Sequence, residues 1–127
     1  MPPYYPPDMI PLEDLFNDVV GKAQRGKRLS DESLAEAAGI TVDQLKQVKD
    51  GGVDDEVLGR LAPVLDLHAD ALSVMAHQGW QPRPIEMAGL AQFNTPFHDM
   101  TVNAYVVWDP VTKEAAAFDT GADAAGM

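Results

Sequence analysis

Cysteine is absent from this 127-residue chain. That excludes disulfides, thiol nucleophiles and cysteine-held metal sites together. Basic residues are scarce: 9 Lys and Arg stand against 20 Asp and Glu, for a formal charge of −11. A chain this acidic is not built as a general polyanion binder, because duplex binding relies on many Lys and Arg contacts to phosphate. The same balance gives no reason to expect an anionic membrane surface as a partner, and none is expected. Long apolar runs are missing too. The longest is Ala104 to Trp108, far short of a membrane-spanning helix. The N-terminus has neither a basic segment nor an apolar one, so no secretory signal is read there and a cytoplasmic protein is expected.

Histidine is sparse as well. His68, His77 and His98 form no H-x-H or H-x-x-x-H pair, whereas catalytic zinc needs about three protein ligands. His68 reads as a helix cap, His77 as a last-turn residue and His98 as a loop residue beside Asp99. There is no phosphate-cradling G-x-x-x-x-G-K-[ST] or G-x-G-x-x-G, and no G-x-S-x-G. The acids from Asp50 to Asp70 read as caps and a solvated helix face, without calcium-loop spacing. What the chain does have is an apolar fraction of 46%, too high for disorder.

Residues 1–11 contain five prolines and read as an extended arm, with Pro11 suited to a helix start. A helical period follows. Leu12, Leu15, Phe16, Val19, Val20 and Ala23 form one stripe that ends at Gly26. Ser30 caps a second helix, Asp31–Ala38, closed by Gly39. Thr41 and Gln44 form a capping box on a third, Val42–Asp50. Asp54 and Asp55 open a fourth, with a kink or early end expected at Pro63. A fifth is expected at about Ala69–His77. Residues 79–84 are a linker. Beyond it, Thr101–Trp108 and Glu114–Phe118 read as strands joined by the turn Asp109–Lys113, with Gln92–Phe97 as a third strand broken by Pro96. The fold class is therefore α+β: a helical domain over 12–78, able to hold its own core, and two or three antiparallel strands within 85–127, too few for one.

The run Leu29-Ser30-Asp31-Glu32-Ser33-Leu34-Ala35-Glu36-Ala37-Ala38-Gly39-Ile40-Thr41, followed by Leu45, resembles the Cro/repressor-like helix-turn-helix family. Residues 57–67 with Ala71-Leu72 are similar to that family's fourth and fifth helices. The resemblance implies a DNA-binding regulator in which Thr41, Gln44, Lys46, Gln47 and Lys49 face a major groove. Lys22, Arg25, Lys27 and Arg28 would touch phosphates. Any binding is expected to depend on Lys46 and Lys49. The alternative is a solvated helical domain used for packing or dimerisation, and a homodimer is admitted by either. Charge leans toward the alternative. Residues 12–80 hold thirteen acids against seven bases, and Asp43 and Asp50 lie on the third helix.

The run Val102-Asn103-Ala104-Tyr105-Val106-Val107-Trp108, then a polar turn, then Ala115 to Gly121, resembles the opening of the metallo-β-lactamase fold. That implies the first strands of an αββα sandwich, with Asp119 and Gly121 in the family's first motif and Asp119 supporting a metal site from behind its ligands. The alternatives are an ordinary turn aspartate and the Asp-Thr-Gly of aspartic proteases, which the flanking residues disfavour. The family's H-x-H-x-D-H signature is not in this chain. The chain thus reads as the N-terminal piece of a metal-dependent hydrolase. Zinc or another divalent metal is expected for the complete protein. No catalytic residue, metal ligand or cofactor is assigned in these 127 residues, and the chain alone is expected to be inactive.

Overall fold

The structure is a computed structural model and describes residues 12–119. The Pro-rich arm and Gly121 lie outside the described residues. The architecture is α+β. Five helices are followed by three strands: α1 Phe16–Gly26, α2 Asp31–Ala38, α3 Val42–Lys49, α4 Asp55–Val64, α5 Ala69–Ala76, β1 Leu90–Phe97, β2 Met100–Trp108 and β3 Ala115–Phe118. None of the described helices is long and apolar enough to cross a membrane.

Residues 14–80 form one compact unit. Most of its boundaries follow from local chemistry. The Ser30 hydroxyl accepts the Ser33 N–H, the Asp54 carboxylate accepts the Glu56 and Val57 N–H groups, and His68 Nδ1 accepts the Ala71 N–H. Each satisfies donors that a helix start leaves open. One buried stripe per helix converges on a shared core. Val20, Leu34, Leu45, Val48, Leu58 and Leu61 are its largest fully enclosed side chains. Burial of each such side chain contributes about 1.5–3 kcal/mol.

The first helix begins later than the apolar period suggests. Leu12 precedes it, and Leu15 is extended at φ −86°, ψ 168°. The Asp18 carboxylate accepts the Leu15 N–H and so sets the start at Phe16. Pro63 lies in the last turn of α4, where an early end is expected, and the helix ends one residue later at Val64. Past the proline, the Leu65 N–H still reaches the carbonyls of Leu61 and Ala62.

The strands form a second unit: one antiparallel sheet in the order β1-β2-β3. Leu90 pairs with Val107 and Phe97 with Met100 across the first hairpin. Tyr105 pairs with Phe118 and Trp108 with Ala115 across the second. Pro96 does not break β1, which pairs with β2 alone and so needs ladder hydrogen bonds on one side only. The second turn is built by Asp109, whose Oδ1 accepts the N–H groups of Val111 (2.7 Å) and Thr112 (3.1 Å). Gly89 packs against the same strand end. Its φ is 84°, and a Cβ there would stand 2.4 Å from the Trp108 carbonyl oxygen, so a side chain is excluded. Ala104 is the one hydrophobic residue of the described strands that is buried.

Candidate nucleic-acid interface

The turn between α2 and α3 is specified residue by residue. Gly39 adopts φ 65°. Its N–H reaches the Glu36 carbonyl, and the Ile40 N–H reaches that of Ala35. This left-handed closure turns the chain out of α2 in two residues. Thr41 then starts α3 at once. Its Oγ1 accepts the Gln44 N–H (3.1 Å), and Gln44 Oε1 accepts the Thr41 N–H (2.9 Å). The reciprocal box expected from the sequence is therefore present.

The helix that follows has two clear sides. Leu45 and Val48 are buried against the core. At about 100° per residue, Asp43, Lys46, Gln47 and Asp50 point the other way, and all four are exposed. Gln44 and Lys49 lie on the flanks and are half-buried.

The nine side chains expected at a nucleic-acid surface divide by what already holds them. Thr41 and Gln44 are engaged in the cap. Lys22 pairs with Asp14 and Lys27 with Asp66. Lys49 pairs with Asp31 at 2.8 Å. Lys46, Gln47, Arg25 and Arg28 are exposed. Of these, Lys46 and Gln47 share the outward face of α3, whereas Arg25 lies in the last turn of α1 and Arg28 sits in the α1–α2 turn at φ 56°. The outward face of α3 thus offers one ammonium and one amide between two carboxylates.

Two networks join residues far apart in sequence and carried no local pattern to reveal them. Asp31 Oδ1 accepts hydrogen bonds from both Lys49 Nζ and Gln24 Nε2, the latter at 2.7 Å. Gln24 is buried and also donates to the Leu29 carbonyl. The Lys49 and Gln24 hydrogen bonds hold the Asp31 carboxyl below the usual carboxylate range, more than offsetting the opposing effect of burial. In the second network, Asp55 accepts from the Ser73 hydroxyl (2.7 Å) and pairs with His77 Nε2 (2.9 Å). These two contacts, Ser73 first, lower its pKa. A carboxylate shared this way ties the start of α4 to the end of α5. It does not give the serine a base.

A cavity of about 160 Å³ lies beside the α2–α3 turn, walled by Gly39, Gln44, Glu56 and Arg60. Sites for drug-sized ligands run to about 300–1,000 Å³, so this one is too small for such a ligand. Among the described residues no three His, Asp or Glu side chains gather to hold a metal. His98 lies in the β1–β2 turn at φ 55°, edge-on to Phe97. Asp119 directly follows β3 at φ 58°.

No protein-family model and no curated protein matches the chain. Among solved structures it is similar to the master regulator for biofilm formation SinR, whose structure was determined in complex with DNA. The two are 21% identical, the match covers 46% of this chain and 97% of that one, and the TM-score is 0.42.

Proposed function

We propose that residues 14–80 are a helix-turn-helix module of the Cro/repressor-like class, with α3 as the helix that enters a DNA major groove. One observation carries the reading. The α2–Gly39–Thr41–α3 turn is closed by its own hydrogen bonds, and α3 leaves Lys46 and Gln47 exposed opposite Leu45 and Val48. Gln47 has the donor and acceptor needed to read an adenine edge, and Lys46 supplies a phosphate contact. Asp43 and Asp50 on the same face repel phosphates. Binding to arbitrary sequence is therefore weak, and preference for a site rests on the base contact. Two copies would read two half-sites about one helical turn apart.

Site selection from a random duplex pool, followed by anisotropy titrations of the full chain, tests this. Random duplex is expected to bind no tighter than about 1–100 μM at physiological salt. Lys46→Ala should reduce the salt slope by about one, and Gln47→Ala should flatten the selected sequence preference. Sub-micromolar binding of random duplex that neither substitution alters would show that α3 is not the groove helix.

A second reading concerns residues 85–127 and rests on the three-stranded meander with Asp119 placed directly after β3. These are the opening strands of a metallo-β-lactamase-fold domain. In that reading Asp119 would support a divalent metal, zinc or another, whose ligands, like any hydrolase activity, would have to come from residues other than those described. The described residues do not themselves make a metal site, so no chemical step is assigned to them. The reading frame beyond Met127 decides it. An H-x-H-x-D-H signature soon after is the expected finding, and a frame without one removes the hydrolase reading.

A further inference from the structure

Lys49 occupies a position that the other lysines do not. Lys22 and Lys27 each meet a single carboxylate, and in each pair one partner is largely exposed. Lys49 meets Asp31 with both side chains about one-third exposed or less. The carboxylate oxygen it uses is held a second time, by the buried amide of Gln24. The lysine's own end of the helix is held as well, because Asn17 Nδ2 donates to the Lys49 carbonyl at 3.1 Å. Residues of α1, α2 and α3 therefore converge on one ion pair at the rim of the face assigned to the groove.

We propose that Asp31 withholds Lys49 from nucleic-acid phosphates, so that α3 binds duplex with Lys46 alone and more weakly than its two lysines would allow. The inference rests on α3 being the groove helix. Its physical basis is competition. A phosphate recruiting Lys49 must first leave Asp31 charged, part-buried and paired only to an uncharged amide. Releasing Lys49 gives up its charge-assisted hydrogen bond to a carboxylate that Gln24 already holds in place, so the internal partner competes directly with phosphate. The depressed pKa of Asp31 keeps that partner ionised throughout the neutral range.

The test is a double-mutant cycle on the full chain, using a labelled random-sequence duplex and reading affinity against salt. Asp31→Asn keeps an oxygen for Gln24 and removes the charge that retains Lys49. It should steepen the salt slope by about 0.9 and tighten binding on the order of five- to ten-fold near 0.1 M salt. Lys49→Ala in the otherwise unchanged chain should leave the salt slope as it was, with at most a small loss of affinity from the carboxylate it uncovers. In the Asp31→Asn background it should abolish the gain. Circular-dichroism melts of all four proteins confirm that folded chains are compared. The single Lys49→Ala variant remains decisive should Asp31→Asn fail to fold.

The proposal is overturned if Lys49→Ala alone lowers the salt slope as much as Lys46→Ala does, since Lys49 would then already be touching phosphate. It is overturned equally if Asp31→Asn tightens binding and Lys49→Ala does not reverse it, since removal of one negative charge would then be the whole effect. In both cases a slope that still responds to Lys46→Ala leaves the groove assignment standing. Absence of binding in all four folded proteins overturns the groove assignment and this inference together.

Discussion

Among the described residues, three carboxylates are held below their ordinary titration range by donors in the folded chain: Asp31, Asp55 and Asp109. The donors differ in kind. Asp31 faces an ammonium and an amide, Asp55 a hydroxyl and an imidazole, and Asp109 two backbone N–H groups of its own turn. The consequence for stability has one sign. A carboxylate with a depressed native pKa contributes stability that is complete above its ordinary value, near 3.8, and is lost as pH falls through the lower native value. All three contributions are therefore present at neutral pH and fade below about pH 4. Asp31 is the least exposed of the three and touches a full charge, so it should show the effect most clearly. Asp31→Asn is expected to melt at lower temperature than the parent at pH 7. The gap should close as pH is lowered from 5 toward 2, because the parent loses what the variant never had. A gap that stays constant over that range would mean that the ion pair does not contribute to folding.

At the scale of the element, what could be read in advance was whatever chemistry lies within four residues of its effect. Ser30, the Thr41–Gln44 box, Asp54 and His68 each cap a helix at the position their side chains suggest, and Gly39 closes α2 in the left-handed conformation that favours glycine. The turn at Asp109–Lys113 is legible for the same reason. Apolar period alone was a poorer guide. Leu12 shares the stripe of α1, but periodicity does not say where backbone donors find partners, and Asp18 decides the start. Of the two prolines, Pro96 does not break its strand because it sits on an edge, where a missing N–H matters little, whereas α4 ends one residue after Pro63. The candidate surface was legible as a set of residue types and not as a set of available groups. Lys46, Gln47 and Lys49 look alike in the sequence. Only the fold, by bringing Asp31 to Lys49 across 18 residues of chain, separates the exposed lysine from the engaged one.

At the scale of the whole chain, the two units differ in how much they enclose. The helical unit buries leucines and valines from all five helices in one cluster. The described strands bury Ala104, while Tyr105, Val107 and Phe118 stay exposed on one side of the sheet. The pairing register places these three on a common face, since Tyr105 lies opposite Phe118 and Val107 opposite Leu90 and Ala116. Backbone hydrogen bonds alone add only about 0.5–1.5 kcal/mol each in water, and a sheet without an enclosed layer of side chains has little else to hold it. Local opening should therefore cost much less in the strands than in the helices. Amide exchange on the full chain, at a concentration where it is monomeric, measures this directly. Slow exchange is expected through the buried turns of α1 to α5, with Leu45, Val48, Leu58 and Leu61 among the most protected positions. Exchange across 101–118 should be faster by several orders of magnitude, in line with the difference in enclosed apolar side chains. Protection in the strands equal to that of α3 and α4 would mean that the sheet has a covering layer, and that Tyr105, Val107 and Phe118 do not face water in the monomer.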